Sequence, residues 1–295
     1  MRQAVQPART CYTTHPCTRP ASAEPAHLDI NKVVMMSDFI DRRVTRRRFA
    51  TAASGALMTS LFSTACSALS KSGPGSDGRL GSRPRSGVTT SVQSGALGLA
   101  TGRDATLQLP SNPPAGPLPL LLMLHGATQN GAAMLRRVGA AADEAGIAVL
   151  APDSRGGTWD AIRGEFGEDV TFIDRALEHV FSRVAVDPAR VIVGGFSDGA
   201  TYALSLGLAN GDLFPRVAAF SPGFVITAAV HGHPHFFVSH GTSDPILPID
   251  QCSRVIVPRL RSMGYDVTFR EFEGRHELPA DVAREGMHWM VAAAR

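Results

Sequence analysis

Residues 191–201 read Val-Ile-Val-Gly-Gly-Phe-Ser-Asp-Gly-Ala-Thr, an apolar strand running into Gly195-Phe196-Ser197-Asp198-Gly199. This is the Gly-x-Ser-x-Gly pattern of a tight strand-to-helix turn. Such a turn holds its serine in a strained backbone conformation and projects the hydroxyl into a cleft as a nucleophile. Glycine suits positions 195 and 199 because a side chain there would collide with neighbouring backbone. With 29 glycines in 295 residues, chance supplies roughly 0.2 such pentapeptides per chain. The residues around it must therefore carry the assignment.

A serine needs a base to take its proton, and the base needs a carboxylate to orient it and stabilise its charged form. After a strand-elbow-helix the expected chain order is Ser, then Asp or Glu, then His. Phe236-Phe237-Val238-Ser239-His240-Gly241-Thr242-Ser243-Asp244-Pro245 is a strand followed by a loop carrying Asp244, and Phe272-Glu273-Gly274-Arg275-His276 is a strand followed by a loop carrying His276. Beyond Asp244 the remaining histidine is His288, inside the last helical stretch. Asp250 sits at a helix start and reads as a cap, while Asp266 precedes a strand at its wrong end. Two backbone N–H donors are needed for the oxyanion. Asp198, the residue after the nucleophile, supplies one. Ala127 is the expected second, from the loop His125-Gly126-Ala127-Thr128, with Gly126 as the alternative. His125 precedes Ser197 in the chain and is expected to brace that loop.

These residues need strand ends to carry them. From about residue 88 the pattern alternates. Strands are expected at 105–109, 119–124, 147–151, 190–193, 217–220, 235–239 and 267–272, and helices at 130–145, 170–184, 200–209, 248–263 and 279–294. The run 119–124 is continuously apolar, as in a strand buried on both faces. Such alternation predicts an α/β fold with a mostly parallel, doubly wound sheet, whose sites lie at the carboxyl ends of the strands. The span 221–234 is too short for a sizeable helical cap. The long loop 154–169 contains Trp159 and Phe166, read here either as substrate-pocket lining or as hydrophobic anchors.

The charge is unevenly distributed. Residues 1–66 hold nine basic and four acidic residues, whereas residues 67–295 hold twenty and twenty-two. The basic surplus belongs to the N-terminal segment, and nucleic acid is not an expected partner. Thr45-Arg46-Arg47-Arg48-Phe49 precedes a charge-free, mildly apolar stretch to Ala65, the pattern of a Tat-type export signal. Met35 or Met36 would place the arginine pair at the usual distance from a start. Ser63-Thr64-Ala65-Cys66 resembles a lipobox with Ser63 where an aliphatic residue is usual, so a lipid tether at Cys66 and plain cleavage near Ala65 both stay open. The segments expected are a signal-bearing extension over 1–66, a flexible linker over 67–87 and a catalytic domain over 88–295. A periplasmic, secreted or lipid-anchored protein follows. Cys252 is the one cysteine of that domain, which is neutral on compartment. His231, His233 and His235 alternate without a second ligand group, so no metal and no cofactor is expected.

Together the His-Gly loop, the Gly-Phe-Ser-Asp-Gly elbow, His-Gly-Thr-Ser-Asp-Pro and Gly-Arg-His resemble the α/β-hydrolase superfamily over about residues 100–295. The chain is most similar to its phospholipase/carboxylesterase group and to esterases similar to polyhydroxybutyrate depolymerases. The resemblance implies Ser197 as nucleophile, Asp244 as acid and His276 as base in a serine esterase acting through an acyl-enzyme on a small-molecule or lipid-like ester. Asn or Gln often follows the serine in that group. Asp198 stands there in this chain, and its carboxylate would disfavour anionic substrates. A serine peptidase or amidase of the same fold, and a non-catalytic binding protein, are the alternatives. The acyl group, the alcohol and the oligomeric state are not legible.

Overall fold

In the computed structural model, residues 77–226 and 229–292 are described. The N-terminal signal pattern, Cys66 and the first part of the 67–87 stretch lie outside them. The described chain forms strands β1 (Gly95–Ala96), β2 (Ala105–Gln108), β3 (Leu118–Leu124), β4 (Ala148–Pro152), β5 (Val186–Phe196), β6 (Arg216–Phe220), β7 (His235–Gly241) and β8 (Val267–Phe272). The helices are α1 (Gly131–Glu144), α2 (Asp160–Arg163), α3 (Glu168–Phe181), α4 (Asp198–Ala209), α5 (Ser253–Ser262) and α6 (Ala280–Val291).

The strands make one sheet in the order β1-β2-β4-β3-β5-β6-β7-β8. β1–β2 and β2–β4 pair antiparallel. Every other pairing is parallel. All seven residues of β3 and all five of β4 are buried, as the continuous apolar runs require of strands covered on both faces. Leu120, Leu122 and Leu124 of β3 pack with α3, α4 and α5 on one face, while Leu121 and Met123 pack with α1 and α6 on the other. Period-two side-chain alternation thus feeds two apolar layers.

Local chemistry sets the ends of these helices. Asn130 caps α1 by accepting from Ala133 N at 2.8 Å, satisfying a donor that the first turn would leave unpaired. α5 is shorter than the 248–263 periodicity implies. Residues 248–252 form turns instead, in which the N–H groups of Cys252 and Arg254 both donate to Ile249 O.

The linker expected over 67–87 needs correction in its C-terminal half. Leu80 is buried and its N–H donates to Asn210 Oδ1 at 2.8 Å. Arg79 and Arg83 both bind the Asp212 carboxylate, at 2.7 and 2.6 Å. An apolar anchor flanked by two arginines that share one carboxylate fixes this stretch against the end of α4. Between β6 and β7 no helix occurs among the described residues.

Candidate active site

The elbow is built by backbone proximity. Ser197, between β5 and α4, has φ 58° and ψ −120°, a conformation that costs a non-glycine residue on the order of 1–3 kcal/mol. The glycines on either side allow it. A Cβ on Gly195 would lie 2.8 Å from Ala200 N, and one on Gly199 would lie 2.6 Å from His125 O. Ser197 N donates to Phe220 O at 2.9 Å, so β6 holds the turn from the side. Ser197 is almost buried, at 9% exposure.

Three strand ends converge there. Ser197 Oγ lies 2.9 Å from His276 Nε2, and His276 Nδ1 lies 2.6 Å from Asp244 Oδ2. A carboxylate only accepts, so Nδ1 carries the hydrogen and Nε2 is left free to accept from the serine hydroxyl. The Phe196 ring packs against the His276 imidazole, with centroids 5.0 Å apart. Asp244 Oδ1 accepts from Ile246 N at 2.8 Å and Leu247 N at 2.9 Å. Burial opposes ionisation of Asp244. The hydrogen bonds from His240, His276, Leu247 and Ile246 outweigh it and hold the carboxyl well below the usual carboxylate range.

The other expected residues fall as follows. Ala127 lies on the exposed loop after β3, and Asp198 is the first residue of α4, directly after Ser197. Gly126 packs directly on the elbow: a Cβ there would meet Ser197 Cβ at 3.4 Å. His125 is fully buried. Its Nε2 accepts from Ser154 N at 2.9 Å and its Nδ1 faces Gly126 O at 2.8 Å. Burial pushes its imidazole below the ordinary histidine value, in keeping with a bracing role. The Asp198 carboxylate is taken up by Thr158 Oγ1, which donates to it at 2.5 Å.

The pocket reading of Trp159 and Phe166 is overturned. Trp159 has no exposed surface and Phe166 is 5% exposed. The Trp159 ring stacks on His125 and Tyr202, and its Nε1 donates to His125 O at 2.8 Å. Phe166 meets Tyr202 edge-on. Both are anchors of the 154–169 loop, part of which is the short helix α2.

Two polar residues behind the Asp244 carboxylate, His240 against it and Ser253 against His240, were not singled out from the sequence. His240 is completely buried. Its Nε2 donates to Leu247 O at 2.7 Å and lies 3.3 Å from Asp244 Oδ2, while its Nδ1 faces Ser253 Oγ at 2.7 Å. Together with Asp244 Oδ1, it holds the Leu247 backbone at both its N–H and its C=O. The one available signal is its place in His-Gly-Thr-Ser-Asp. Ser253, in the first turn of α5, carries none.

A family model described as Phospholipase/Carboxylesterase matches residues 162–286, a span that includes Ser197, Asp244 and His276. The chain is 31% identical over 158 residues to feruloyl esterase C of Emericella nidulans, covering 50% of this chain and 57% of that protein. It spans about half the length of the curated relatives it matches. Among solved structures it is similar to an acetyl xylan esterase from Aspergillus awamori (TM-score 0.52, 17% identity, covering 64% of this chain and 94% of that one). It is also similar to the Bacillus cereus carboxylesterase (TM-score 0.50, 20% identity, 64% and 94%). At such identities the structural likeness speaks to fold alone. The chain has the α/β-hydrolase fold, with a mostly parallel eight-stranded sheet.

Proposed function

We propose that this protein is an exported serine esterase. The observation that carries the reading is the continuous relay Ser197 Oγ–His276 Nε2, 2.9 Å, and His276 Nδ1–Asp244 Oδ2, 2.6 Å. His276 takes the Ser197 proton as Oγ attacks the ester carbonyl carbon. The N–H groups of Ala127 and Asp198 receive the oxyanion. His276-H⁺ then protonates the departing alkoxide, which leaves as the alcohol. Water, deprotonated by His276, attacks the acyl-enzyme, and collapse of that intermediate releases the acid and restores Ser197. Asp244 stays ionised throughout and stabilises the imidazolium. No step calls on a metal or an organic cofactor. The phospholipase/carboxylesterase match and the esterase relatives support an ester over an amide as substrate. The twin-arginine pattern at 45–49 supports a substrate met outside the cytoplasm. Lipidation at Cys66 would tether the catalytic domain to a membrane surface.

Labelling with a fluorophosphonate tests the chemistry. The wild type is expected to label on Ser197 and Ser197→Ala not at all; an unlabelled wild type would sink the proposal. A panel of esters of increasing acyl length, with a feruloyl ester and matched amides alongside, then assigns substrate class. Amides hydrolysed faster than their esters would overturn the esterase reading in favour of an amidase.

A further inference from the structure

One short segment touches both sides of the proposed oxyanion site. Residues 154–159, leaving β4, make four hydrogen bonds to it. Ser154 N donates to His125 Nε2 at 2.9 Å, Trp159 Nε1 donates to His125 O at 2.8 Å, and Gly157 O accepts from Thr128 N at 2.6 Å. These three fix the 125–128 loop on either side of Ala127. The fourth, Thr158 Oγ1 to Asp198 Oδ2 at 2.5 Å, is the one that reaches across to the elbow. The carboxylate of Asp198 can only accept, and the Thr158 hydroxyl is the donor set against it. A bond from a neutral donor to an ionised acceptor is shorter and stronger than one between neutral groups. The segment is itself held: Arg103 donates to Ser154 O and, at 3.2 Å, to Gln129 O.

We propose that Thr158 is a positioning residue. Through its hydrogen bond to Asp198 it fixes the separation between the Ala127 and Asp198 N–H groups, and so the fit of the site to the tetrahedral oxyanion. The proposal rests on the esterase reading above. Backbone donors cannot be mutated away, so their spacing is where a side chain can act on them. Complete loss of one oxyanion donor costs about 10²–10³ in kcat, and a displacement of about 1 Å can cost 10². Loosening one tie of four should cost less than either.

The test compares Thr158→Val, which keeps the shape and removes the hydroxyl, with Thr158→Ser, which keeps the hydroxyl. Expected for Thr158→Val is a fall in kcat of about 10–100-fold with KM changed less than about twofold. Affinity for a trifluoromethyl ketone, whose adduct mimics the tetrahedral state, should fall by the same factor as kcat/KM. Thr158→Ser should recover most of both. Thr158→Ala stands in if the valine variant does not fold. A hydroxyl-free variant that turns over like wild type overturns the proposal, as does an equal loss in the serine and valine variants, or a loss confined to KM. If wild type labels with fluorophosphonate and cleaves esters while Thr158→Val matches it, this inference fails alone. If wild type does neither, the esterase reading fails and takes this inference with it.

Discussion

Asp244→Asn is the substitution whose outcome the geometry constrains most tightly. The asparagine has one acceptor oxygen and one NH₂ where the carboxylate has two acceptors. Two backbone donors, Ile246 N at 2.8 Å and Leu247 N at 2.9 Å, converge on Oδ1, so the amide oxygen must take that place. The NH₂ is then forced onto the Oδ2 position, facing His276 Nδ1 at 2.6 Å and the His240 Nε2–H at 3.3 Å. The second contact sets donor against donor. The first makes His276 Nδ1 an acceptor and moves the ring hydrogen to Nε2, where it points at Ser197 and cannot take its proton. In a Ser-His-Asp enzyme a locked wrong tautomer costs about 10⁴ in kcat, equivalent to ~5.4 kcal/mol of barrier. Asp244→Ala leaves the imidazole free to sample both tautomers and should therefore be at least as active as Asp244→Asn. The measurement is steady-state hydrolysis of a chromogenic ester, with fluorophosphonate labelling rates in parallel. An asparagine variant that keeps more than a tenth of wild-type kcat, or that outperforms the alanine variant, would refute the tautomer reasoning.

Two further outcomes follow from backbone packing and burial. Gly199→Ala would put a methyl 2.6 Å from His125 O, so the elbow must open; a loss of at least about 2 kcal/mol in urea unfolding is expected, with esterase activity falling together with it, and an unchanged midpoint would contradict the packing described. Asp169 is 1% exposed, and burial pushes its carboxyl up to about 6 although the N–H groups of Arg155 and Asp160 donate to it. The folded state therefore binds this proton more tightly than the unfolded chain, and stability should fall as pH rises from about 4 to about 6, by at most ~3 kcal/mol. Urea midpoints across that range, compared with Asp169→Asn, should show a slope that the variant lacks.

The elements came through in the sequence where burial is uniform. Residues 119–124 and 147–151 are apolar without interruption, and β3 and β4 lie there, buried throughout. β5 is much longer than the 190–193 run because its first residues, Val186-Asp187-Pro188-Ala189, carry a proline and an acid that read as a break. Of these, Val186 pairs with Leu118 at the strand's entry, and the register shifts before Leu120 meets Val191. Ser197, Asp244 and His276 were legible as candidates because each stands just after a strand, in the order Ser, Asp, His along the chain. Trp159 shows the limit. An aromatic in a long loop reads equally as pocket wall or anchor, and only its position beneath His125 decides. The contacts of His240 and Thr158 were not legible for the same reason: a hydrogen bond across 7 or 40 residues leaves no periodicity.

Backbone strain also sits at strand exits, that of Ser197 among them. Among the described residues, three that are not glycine have positive φ: Thr128 at 60°, Ser197 at 58° and Ser221 at 54°. They follow β3, β5 and β6, the three adjacent strands at the centre of the sheet. At roughly 1–3 kcal/mol each, the strain is a substantial fraction of the 5–15 kcal/mol that keeps a domain folded. It is held in place by named bonds: Thr128 N to Gly157 O, Ser197 N to Phe220 O, and Ser221 N to Ser239 O. The first comes from the 154–159 segment, and the other two tie each crest to the neighbouring strand. Glycine at these positions would relieve the strain but would also free the backbone to relax in the unreacted state. A rigid crest keeps a serine hydroxyl and the backbone donors beside it in one arrangement before any substrate arrives. Electrostatic stabilisation of an oxyanion needs that arrangement in advance, because its benefit comes from dipoles that do not have to reorient during the reaction.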